Sequence, residues 1–487
     1  MTGEAVLTWV DEGDAVGDDA VGGAAGQDRG SGAGEAVPAG PGRAPAGAAG
    51  GPDHTSAPRG SRTRFTRRRD WAVAGVLLAV VLVAPVVRWQ TSEIAATTRQ
   101  PATTTLAAQV PPLEFPPSLA ETWRADSPST PVPVVAGPVV ATGNGGTVSG
   151  LDPLTGEVVW RYQRDLQLCT VAPFDTVPPQ RTDSGTVLAL YGTKGGDLPE
   201  DGPYADGNCS EVSAIDGGSG DVEATRNSDA EYGTRLLSDG TTVTTTGRRL
   251  ITSWRSDLVM TSQYGTRPTP VQPRPNLRKD CFFGSVAVTA DRIAVIERCP
   301  EDNGADRLTV YKTQTPSGKD NDDVEITSST LLGARGRVIA VTDTTTAVAL
   351  ADPPRVRTYT AAGVALPDTP VDIPEQDLAN TDPPGATAAT TTGQDAVYWF
   401  TGSRTVALAK SDLRPTWLVP STSGSGVVFA GKLLLPVEAG LAVKDPVTGA
   451  DAGLIPVDRG GYRGPITMST TGPIVLEQRG PTLVALR

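Results

Sequence analysis

Most of the chain after residue 119 is a succession of short apolar or alternating runs separated by turn residues. Runs of four to eight apolar and β-branched residues are typical of strands, and Gly- and Pro-rich breaks are typical of turns. The runs group into parcels of roughly 30 to 45 residues, the length of a four-stranded propeller blade. This spacing predicts an all-β fold. Seven parcels begin near Val134, Leu168, Leu236, Ser285, Leu331, Thr387 and Val427.

The two ends of this region together complete an eighth parcel. Residues 465–487 contain three strand-like runs, ITMST, PIVLEQ and TLVAL, and lack a fourth. Residues 121–124 (ETWR) resemble the last strand of a parcel without the strands that should precede it. Closing a ring of blades removes the exposed sheet edge, so we expect the strand of Trp123 to pair antiparallel with residues 482–486. The predicted count is eight blades, with seven as the alternative because parcels three and five have weak strands.

A long uncharged apolar run precedes the β-rich region. Residues 71–87 (WAVAGVLLAVVLVAPVV) are near the lower length limit for a helix that spans a membrane. Trp71 and Trp89 bracket the run, as interfacial anchors do. A buried helix or a signal-peptide core is the alternative, but 70 residues precede the run and no A-x-A-like cleavage site follows closely. The pattern predicts a single transmembrane helix over residues 71–89.

The charges around this run predict its orientation. Arginines cluster before it, whereas Arg88 and Arg99 alone follow closely, and the positive-inside rule places the N-terminus in the cytoplasm. The cluster consists of Arg59, Arg62, Arg64, Arg67, Arg68 and Arg69. The predicted order is a disordered cytoplasmic tail (1–60), a basic juxtamembrane segment (61–70), the transmembrane helix (71–89), a Thr/Pro-rich linker (90–118) and an extracytoplasmic propeller (119–487).

The chain is acidic, with a formal net charge of -13. Residues 1–89 contribute little of it, because their nine arginines nearly balance ten acidic residues. The predicted exterior domain therefore carries most of the negative charge. Such a surface argues against nucleic-acid binding. It also repels anionic lipid, so we expect the domain to stand away from the bilayer.

All four cysteines lie in the predicted exterior domain, at Cys169, Cys209, Cys281 and Cys299. An even number of cysteines in an oxidising compartment predicts two disulfides. Three pairings are open, and the local one, Cys169–Cys209 with Cys281–Cys299, is the simplest. The chain has no C-x-x-C motif, which argues against a zinc knuckle or a thioredoxin-like site.

One turn phrase recurs along the chain. Its copies are VSGLDPLTG (148–156), VSAIDGGSG (212–220) and LAVKDPVTG (441–449). The Asp carboxylate can accept backbone N–H bonds in an Asx turn, and the Gly can take a positive φ. We therefore assign structural roles to Asp152, Gly156, Asp216, Gly220, Asp445 and Gly449. Tryptophans at strand ends, such as Trp160, Trp254 and Trp417, are interpreted as packing between sheets rather than as a ligand cage.

The first copy, with its flanks, reads G-x-V-x-x-L-D-x-x-T-G-x-x-x-W. It stands as Gly146, Val148, Leu151, Asp152, Thr155, Gly156 and Trp160. This phrase resembles the repeat of pyrroloquinoline-quinone (PQQ)-like β-propellers, and the resemblance covers 119–487. The layout resembles a group of actinobacterial membrane proteins with one span and an exterior propeller. The resemblance implies either a quinoprotein dehydrogenase or a protein-binding scaffold without a cofactor.

The residues do not favour the dehydrogenase. That group needs a quinone, a Ca²⁺ held by carboxylates and a catalytic aspartate, and its alcohol-oxidising members have a vicinal cysteine pair. This chain has no adjacent cysteines and no matched ligand set. Its single histidine, His54, lies in the predicted tail, which excludes a Ser-His-Asp triad or His-ligated zinc in the exterior domain.

Two acidic clusters do not have the spacing of the twelve-residue calcium loop, and we interpret them as solvated turns. They consist of Glu301, Asp302 and Asp306, and of Asp320, Asp322 and Asp323. The sequence therefore assigns no catalytic, cofactor-binding or metal-binding residue. It favours a non-catalytic scaffold or sensor of the cell envelope that binds unidentified envelope proteins. A quinoprotein-type dehydrogenase or another catalytic propeller is the alternative.

Overall fold

The structure is a computed structural model, and it describes residues 68–90, 92–112, 114–174, 185–192, 208–267, 278–314, 324–379 and 386–487. The predicted tail, with His54, residues 61–67 and the second acidic cluster lie outside the described residues. The length of parcel two predicts an insertion around 195–208, and most of that segment also lies outside them. The first elements are the helices α1 (Arg68–Gln90) and α2 (Glu93–Ala96) and the strands β1 (Thr98–Gln100) and β2 (Glu121–Asp126).

Most of the remaining described chain forms the antiparallel sheets of a β-propeller, and the first four blades each contain four consecutive strands. Blade one contains β3 (Val134–Ala136), β4 (Val139–Asn144), β5 (Thr147–Leu151) and β6 (Val158–Gln163). Blade two contains β7 (Gln167–Phe174), β8 (Thr186–Gly192), β9 (Asn208–Asp216) and β10 (Val222–Glu231). Blade three contains β11 (Leu236–Ser238), β12 (Thr242–Thr245), β13 (Leu250–Arg255) and β14 (Met260–Gly265). Blade four contains β15 (Phe282–Thr289), β16 (Arg292–Arg298), β17 (Asp306–Tyr311) and β18 (Ile326–Leu331), with a 3₁₀ turn at Pro300–Asp302.

The next three blades repeat this order, and the eighth uses both ends of the domain. Blade five contains β19 (Gly336–Val341), β20 (Thr345–Leu350), β21 (Arg355–Thr360) and β22 (Thr369–Pro370), and helix α3 (Glu375–Ala379) follows it. Blade six contains β23 (Ala389–Thr392), β24 (Ala396–Phe400), β25 (Arg404–Ala409) and β26 (Pro415–Pro420). Blade seven contains β27 (Val427–Phe429), β28 (Lys432–Val437), β29 (Gly440–Lys444) and β30 (Asp451–Pro456). Blade eight contains β31 (Ile466–Thr471), β32 (Ile474–Arg479), β33 (Thr482–Leu486) and β2.

The prediction of eight blades is confirmed, and so is the closure. Strand β2 pairs antiparallel with β33, with Trp123 opposite Ala485 and Asp126 opposite Thr482. The β32–β33 hairpin would otherwise end in a bare edge of N–H and C=O groups, and β2 covers that edge. The N-terminal strand is therefore the outermost strand of the last blade.

Eight buried apolar clusters in the described chain lie at the eight interfaces between neighbouring blades. The cluster between blades eight and one, for example, joins Trp123 and Ala485 to Val140 and Leu151. Each blade thus buries its two faces against its neighbours, as stacked repeats must, because no single four-stranded sheet has a core of its own.

The recurring turn phrase connects blades through tryptophan. Gly156, in blade one, has φ +75°, and a Cβ placed there would lie 2.7 Å from the Trp123 ring. The Trp123 indole N–H donates to the Pro153 carbonyl at 2.8 Å. Trp160 meets Gly220 of blade two, and Trp417 meets Gly449 of blade seven, in the same way. The tryptophan of one blade therefore docks on the glycine turn of the next, and these tryptophans pack between blades.

The aspartates of these turns accept the backbone bonds that an Asx turn requires. Asp152 Oδ1 accepts from the Leu154 N–H at 2.7 Å, and Asp216 Oδ1 accepts from the Ser219 N–H at 2.7 Å. Asp445 Oδ1 accepts from the N–H groups of Val447 and Thr448.

The predicted linker differs from the expectation of a spacer, because much of it lies on the propeller. β1 pairs antiparallel with β6 and adds a fifth strand to blade one. Further along, the Ala102 N–H donates to the Ser219 carbonyl at 2.9 Å. The Phe115 and Phe429 rings meet edge to face, with centroids 6.4 Å apart. We call residues 98–119 the strap.

Candidate binding face

One face of the propeller carries both disulfides. In an antiparallel four-stranded blade, the turn between strands two and three lies at the same end as the connection to the next blade. We call the surface built from these segments the disulfide face. It contains Cys169 and Cys209 of blade two, which are bonded across 40 residues, and Cys281 and Cys299 of blade four, bonded across 18. The local pairing is therefore the one that the structure has.

The disulfide face is held by buried ion pairs. In blade four, Glu297 is fully buried and accepts a hydrogen bond from the Tyr264 hydroxyl. Arg278 Nε lies 3.2 Å from the second oxygen of the same carboxylate and also pairs with Glu301 at 2.9 Å. Burial raises the pKa of both Glu297 and Tyr264, which keeps the phenol a proton donor.

A second buried carboxylate organises blade eight. Glu477 is fully buried and lies 2.7 Å from guanidinium nitrogens of both Arg459 and Arg479. Arg459 also donates to the carbonyls of Val437 and Gly440, at 2.6 and 2.9 Å. Removing one partner from such a network leaves an uncompensated buried charge, which costs about 3–5 kcal/mol. The connection between blades seven and eight is therefore a fixed part of the face.

Two neighbouring cavities open on the disulfide face and share Tyr462 and Pro465. One has a volume of about 400 Å³ and lies among the loops of blades six, seven and eight. The other, about 320 Å³, lies where blades eight, one and two meet. The Tyr462 hydroxyl donates to the Pro465 carbonyl at 2.8 Å and so fixes the wall between them. We call the smaller cavity the Arg235 pocket, since Arg235 is the one charged residue described in its lining.

A third cavity, of about 510 Å³, lies along the first strands of blades three to six, in the central channel. Valine, alanine and threonine dominate its lining, with Asp343 and Lys410 as the charged residues. A quinone centre of the resembled family needs a Ca²⁺ held by several carboxylates, and calcium takes six to eight oxygen ligands. The single carboxylate among the described residues of this lining does not fit such a centre.

The first acidic cluster is an ion-pair network rather than a set of solvated turns. Asp306 is buried and binds Arg298 at 2.8 Å and Arg335 at 2.7 Å. Asp302 pairs with Arg307 at 2.6 Å. Arginine supplied by neighbouring strands explains the difference from the sequence interpretation, since a buried carboxylate requires a partner.

Within the described residues, one group of cysteine and acidic side chains has ligand atoms close enough for a metal. It consists of Cys281, Cys299 and Glu301. Its two sulfurs form a disulfide, whereas metals bind thiolates, so the group does not fit a metal.

Sequence reasoning did not identify Arg235, Thr170 or Tyr462. Arg235 lies in the connection between blades two and three, Thr170 near the start of β7, and Tyr462 in the connection between blades seven and eight. None of the three belongs to a recognisable sequence motif. The ring brings them to one cavity, and closure by β2 places residues 128–131 beside them.

The comparisons with known proteins concern the fold and do not indicate a function. No family model matches the sequence, and no curated protein matches it. Among solved structures, Sqt1 of Saccharomyces cerevisiae is similar at 8% identity and a TM-score of 0.46, over 78% of this chain and 99% of Sqt1. Apo AztD of Citrobacter koseri is 13% identical with a TM-score of 0.39, over 69% and 87% of the two chains. A quinohemoprotein alcohol dehydrogenase of Comamonas testosteroni is 11% identical with a TM-score of 0.43, over 76% of each chain. Similarity at this level describes shape, and no function follows from it.

Proposed function

We propose that the chain is a single-pass membrane protein whose propeller lies outside the cytoplasm and binds an envelope protein on its disulfide face. Helix α1 is the main support for a membrane anchor. Its segment Trp71–Trp89 has a mean hydropathy of 2.3 and is not buried against any other part of the described chain. An apolar helix of this length with no protein cover is suited to lipid.

The two disulfides support an exterior location for the propeller. Structural disulfides persist in oxidising compartments and are rare in the cytoplasm. Both lie in the domain that the arginine cluster before α1 assigns to the outside. The disulfides and the arginine cluster before α1 therefore favour the same orientation, with the propeller outside the cytoplasm.

The strap supports a propeller that stays close to the bilayer. Nine residues lead from Trp89 to Thr98, where β1 joins blade one. A chain of that length reaches at most about 30 Å. This differs from the expectation of a domain that stands well away on a long spacer. The anchored propeller is better suited to a partner that is itself at the membrane surface.

Binding is favoured over catalysis by the character of the disulfide face. Its buried acids Glu297 and Glu477 are paired with arginine and tyrosine side chains, and Glu231 accepts from a backbone N–H, so these acids rigidify loops instead of offering reactive groups. Loops held on a rigid scaffold are a common site of recognition. Open cavities between such loops offer a partner places to insert side chains.

The topology is tested with alkaline phosphatase fusions to the full chain, because the enzyme is active only outside the cytoplasm. We expect activity from a fusion after Arg487 and none from a fusion at residue 60. The reverse pattern would refute the orientation. Activity from neither fusion, with the protein in the soluble fraction, would refute the membrane anchor.

The binding face is tested by photo-crosslinking in cells with the full-length chain. Glu438 and Val447 lie in turns at opposite ends of blade seven, and both are exposed. A crosslinking residue at 438 should capture one defined protein, and the matched one at 447 should not. Equal capture at both positions, or none at 438, would contradict binding on the disulfide face. A quinone absorbance in the purified protein would instead favour the dehydrogenase.

A further inference from the structure

The Arg235 pocket is unusual for so acidic a protein, because the residues described in its lining include an arginine and no carboxylate. Its polar lining otherwise consists of hydroxyl groups, one amide and a disulfide sulfur. These residues are Ser129, Thr130, Cys169, Thr170, Tyr462, Thr467 and Gln478. A cavity of about 320 Å³ is at the lower end of the size range of ligand sites.

Arg235 has no ionic partner among the described residues. Other part-buried arginines of the disulfide face pair with carboxylates, as Arg278 does with Glu297 and Arg459 with Glu477. The Arg235 guanidinium makes only long contacts to the carbonyls of Gly233 and Thr234, at 3.5 and 3.4 Å. Burial lowers its pKa, and no carboxylate acts in the opposite direction.

The two acids nearest in sequence, each four residues away, do not neutralise Arg235. Asp239 accepts hydrogen bonds from the Thr241 and Thr242 hydroxyls, at 2.8 and 2.7 Å. Glu231 is buried and directs Oε2 to the backbone N–H of Arg249, at 2.9 Å. Its carboxylate thus holds the turn before β13. A half-buried guanidinium without a counter-ion is costly, and an anion entering the pocket would remove that cost.

Thr170 supplies the second, independent observation. It is 1% exposed, lines the Arg235 pocket, and its hydroxyl has no hydrogen-bond partner among the described residues. Buried hydroxyls are normally paired. Most other hydroxyls of the pocket already donate to the protein: Thr130 to Ser127, Thr467 to Pro131 and Tyr462 to Pro465. Thr170 and Arg235 therefore line the same cavity, and no described residue pairs with the hydroxyl of the one or the charge of the other.

The geometry points to the Arg235 pocket as a binding site for one carboxylate group, held by the Arg235 guanidinium and the Thr170 hydroxyl. A planar guanidinium matches the two oxygens of a carboxylate. A single positive charge balances a monoanion, whereas no second cation to balance a phosphate dianion is found among the lining residues that the structure describes. The carboxylate belongs either to a peptide C-terminus or to a small free acid. The inference rests on the proposed function in taking the disulfide face as the binding surface.

The test uses full-length protein in lipid nanodiscs and isothermal titration calorimetry. The probes are N-acetylglycylglycine, its C-terminal amide and acetate. We expect the peptide acid to bind at least about tenfold more tightly than the amide, because the amide removes the charge that Arg235 recognises. Acetate binding as tightly as the peptide acid assigns the site to free acids, and weaker acetate binding assigns it to a peptide C-terminus. Equal binding of acid and amide, or binding of neither, overturns the proposal.

Two variants test whether the preference for the acid over the amide depends on the Arg235 pocket. Arg235→Gln should abolish the acid preference, and Thr170→Val should weaken acid binding by about tenfold or more, since one hydrogen bond to a charged carboxylate is lost. Arg226→Gln, which removes an exposed arginine that contacts the Thr225 carbonyl, is the matched control and should bind as wild type does. Thermal unfolding of each variant shows whether it is folded, and an unchanged preference in a folded Arg235→Gln variant also overturns the site.

The crosslinking result at residue 438 separates this inference from the proposed function. A chain that captures its partner but does not distinguish acid from amide retains the proposed function and loses the carboxylate site. A chain that prefers the acid, with the preference lost in Arg235→Gln, but captures no protein retains the site and loses the proposed function.

Discussion

At the scale of single residues, the glycine of the turn phrase has two roles that the sequence shows only in part. The motif predicts the positive φ of Gly156. It does not show that a side chain is also excluded there because the Trp123 ring packs against the α-carbon. The same contact recurs at Gly220 with Trp160 and at Gly449 with Trp417. The motif therefore specifies an interface between blades as well as a turn.

We expect Gly156→Ala to lower the stability of the chain by about 2–5 kcal/mol. Roughly 1–2 kcal/mol comes from placing alanine at a positive φ, and a further 1–3 kcal/mol from the new methyl group displacing a packed indole. The measurement is the thermal unfolding midpoint of the full chain in detergent.

Gly304→Ala is the matched control for that experiment. Gly304 has φ +71° and nothing within 4 Å of the added Cβ, so the change introduces the backbone strain without the clash. A midpoint for Gly156→Ala no lower than that for Gly304→Ala would show that tryptophan docking contributes nothing to stability.

At the scale of elements, blade starts were predictable where strands are strongly apolar. The first strands of blades one, three and seven begin at Val134, Leu236 and Val427, where the pattern places them. Blade five begins at Gly336, five residues after the predicted Leu331, which instead ends blade four. The fourth strand of blade five is only two residues long, Thr369–Pro370, so its pattern is too short to mark where blade six begins.

The strap escaped prediction because its composition is that of a linker. Thr, Ala and Pro dominate residues 101–108, and neither alternation nor an apolar run marks β1. β1 pairs with the outer edge of β6, which has no other described strand beside it. Isolated apolar contacts also hold the strap, such as that of Leu106 with the cluster between blades one and two. Such contacts exist only once the ring has formed. The Arg235 pocket escaped prediction for the same reason.

We expect Leu106→Asp to release the strap. The change puts a charge into a partly buried apolar contact of the strap, and β1 itself is an edge strand of three residues. Trypsin should then cleave after Arg99 in the variant, in nanodiscs, faster than in wild type, whose Arg99 is paired opposite Tyr162. Val110→Asp is the control, because Val110 lies in the same segment and is 79% exposed. Equal cleavage of both variants would indicate that residues 98–119 are a free spacer after all.

At the scale of the whole molecule, stability is expected to depend on closure of the ring. The apolar clusters lie between blades, so each blade relies on both neighbours, and the interface between blades eight and one forms only when the chain ends meet. That interface combines β2 paired on β33 with Trp123 docked on the turn of blade one. Opening it exposes the edge of β33 and an apolar surface together.

Deleting residues 119–126 should therefore destabilise all eight blades rather than one. We expect the unfolding midpoint to fall by at least about 10 °C, on the scale of 2–4 °C for each kcal/mol lost, and the protein to aggregate through the bare strand edge. Deleting residues 482–487 should have the same effect, because it removes the other half of the pair. Ala125→Pro, which breaks hydrogen bonding of β2 opposite Leu483, is the milder variant, and Val110→Pro in the exposed strap is its control. A chain without residues 119–126 that keeps the wild-type midpoint would mean that the blades are held by their lateral packing alone, and closure by the N-terminal strand would then have no energetic role.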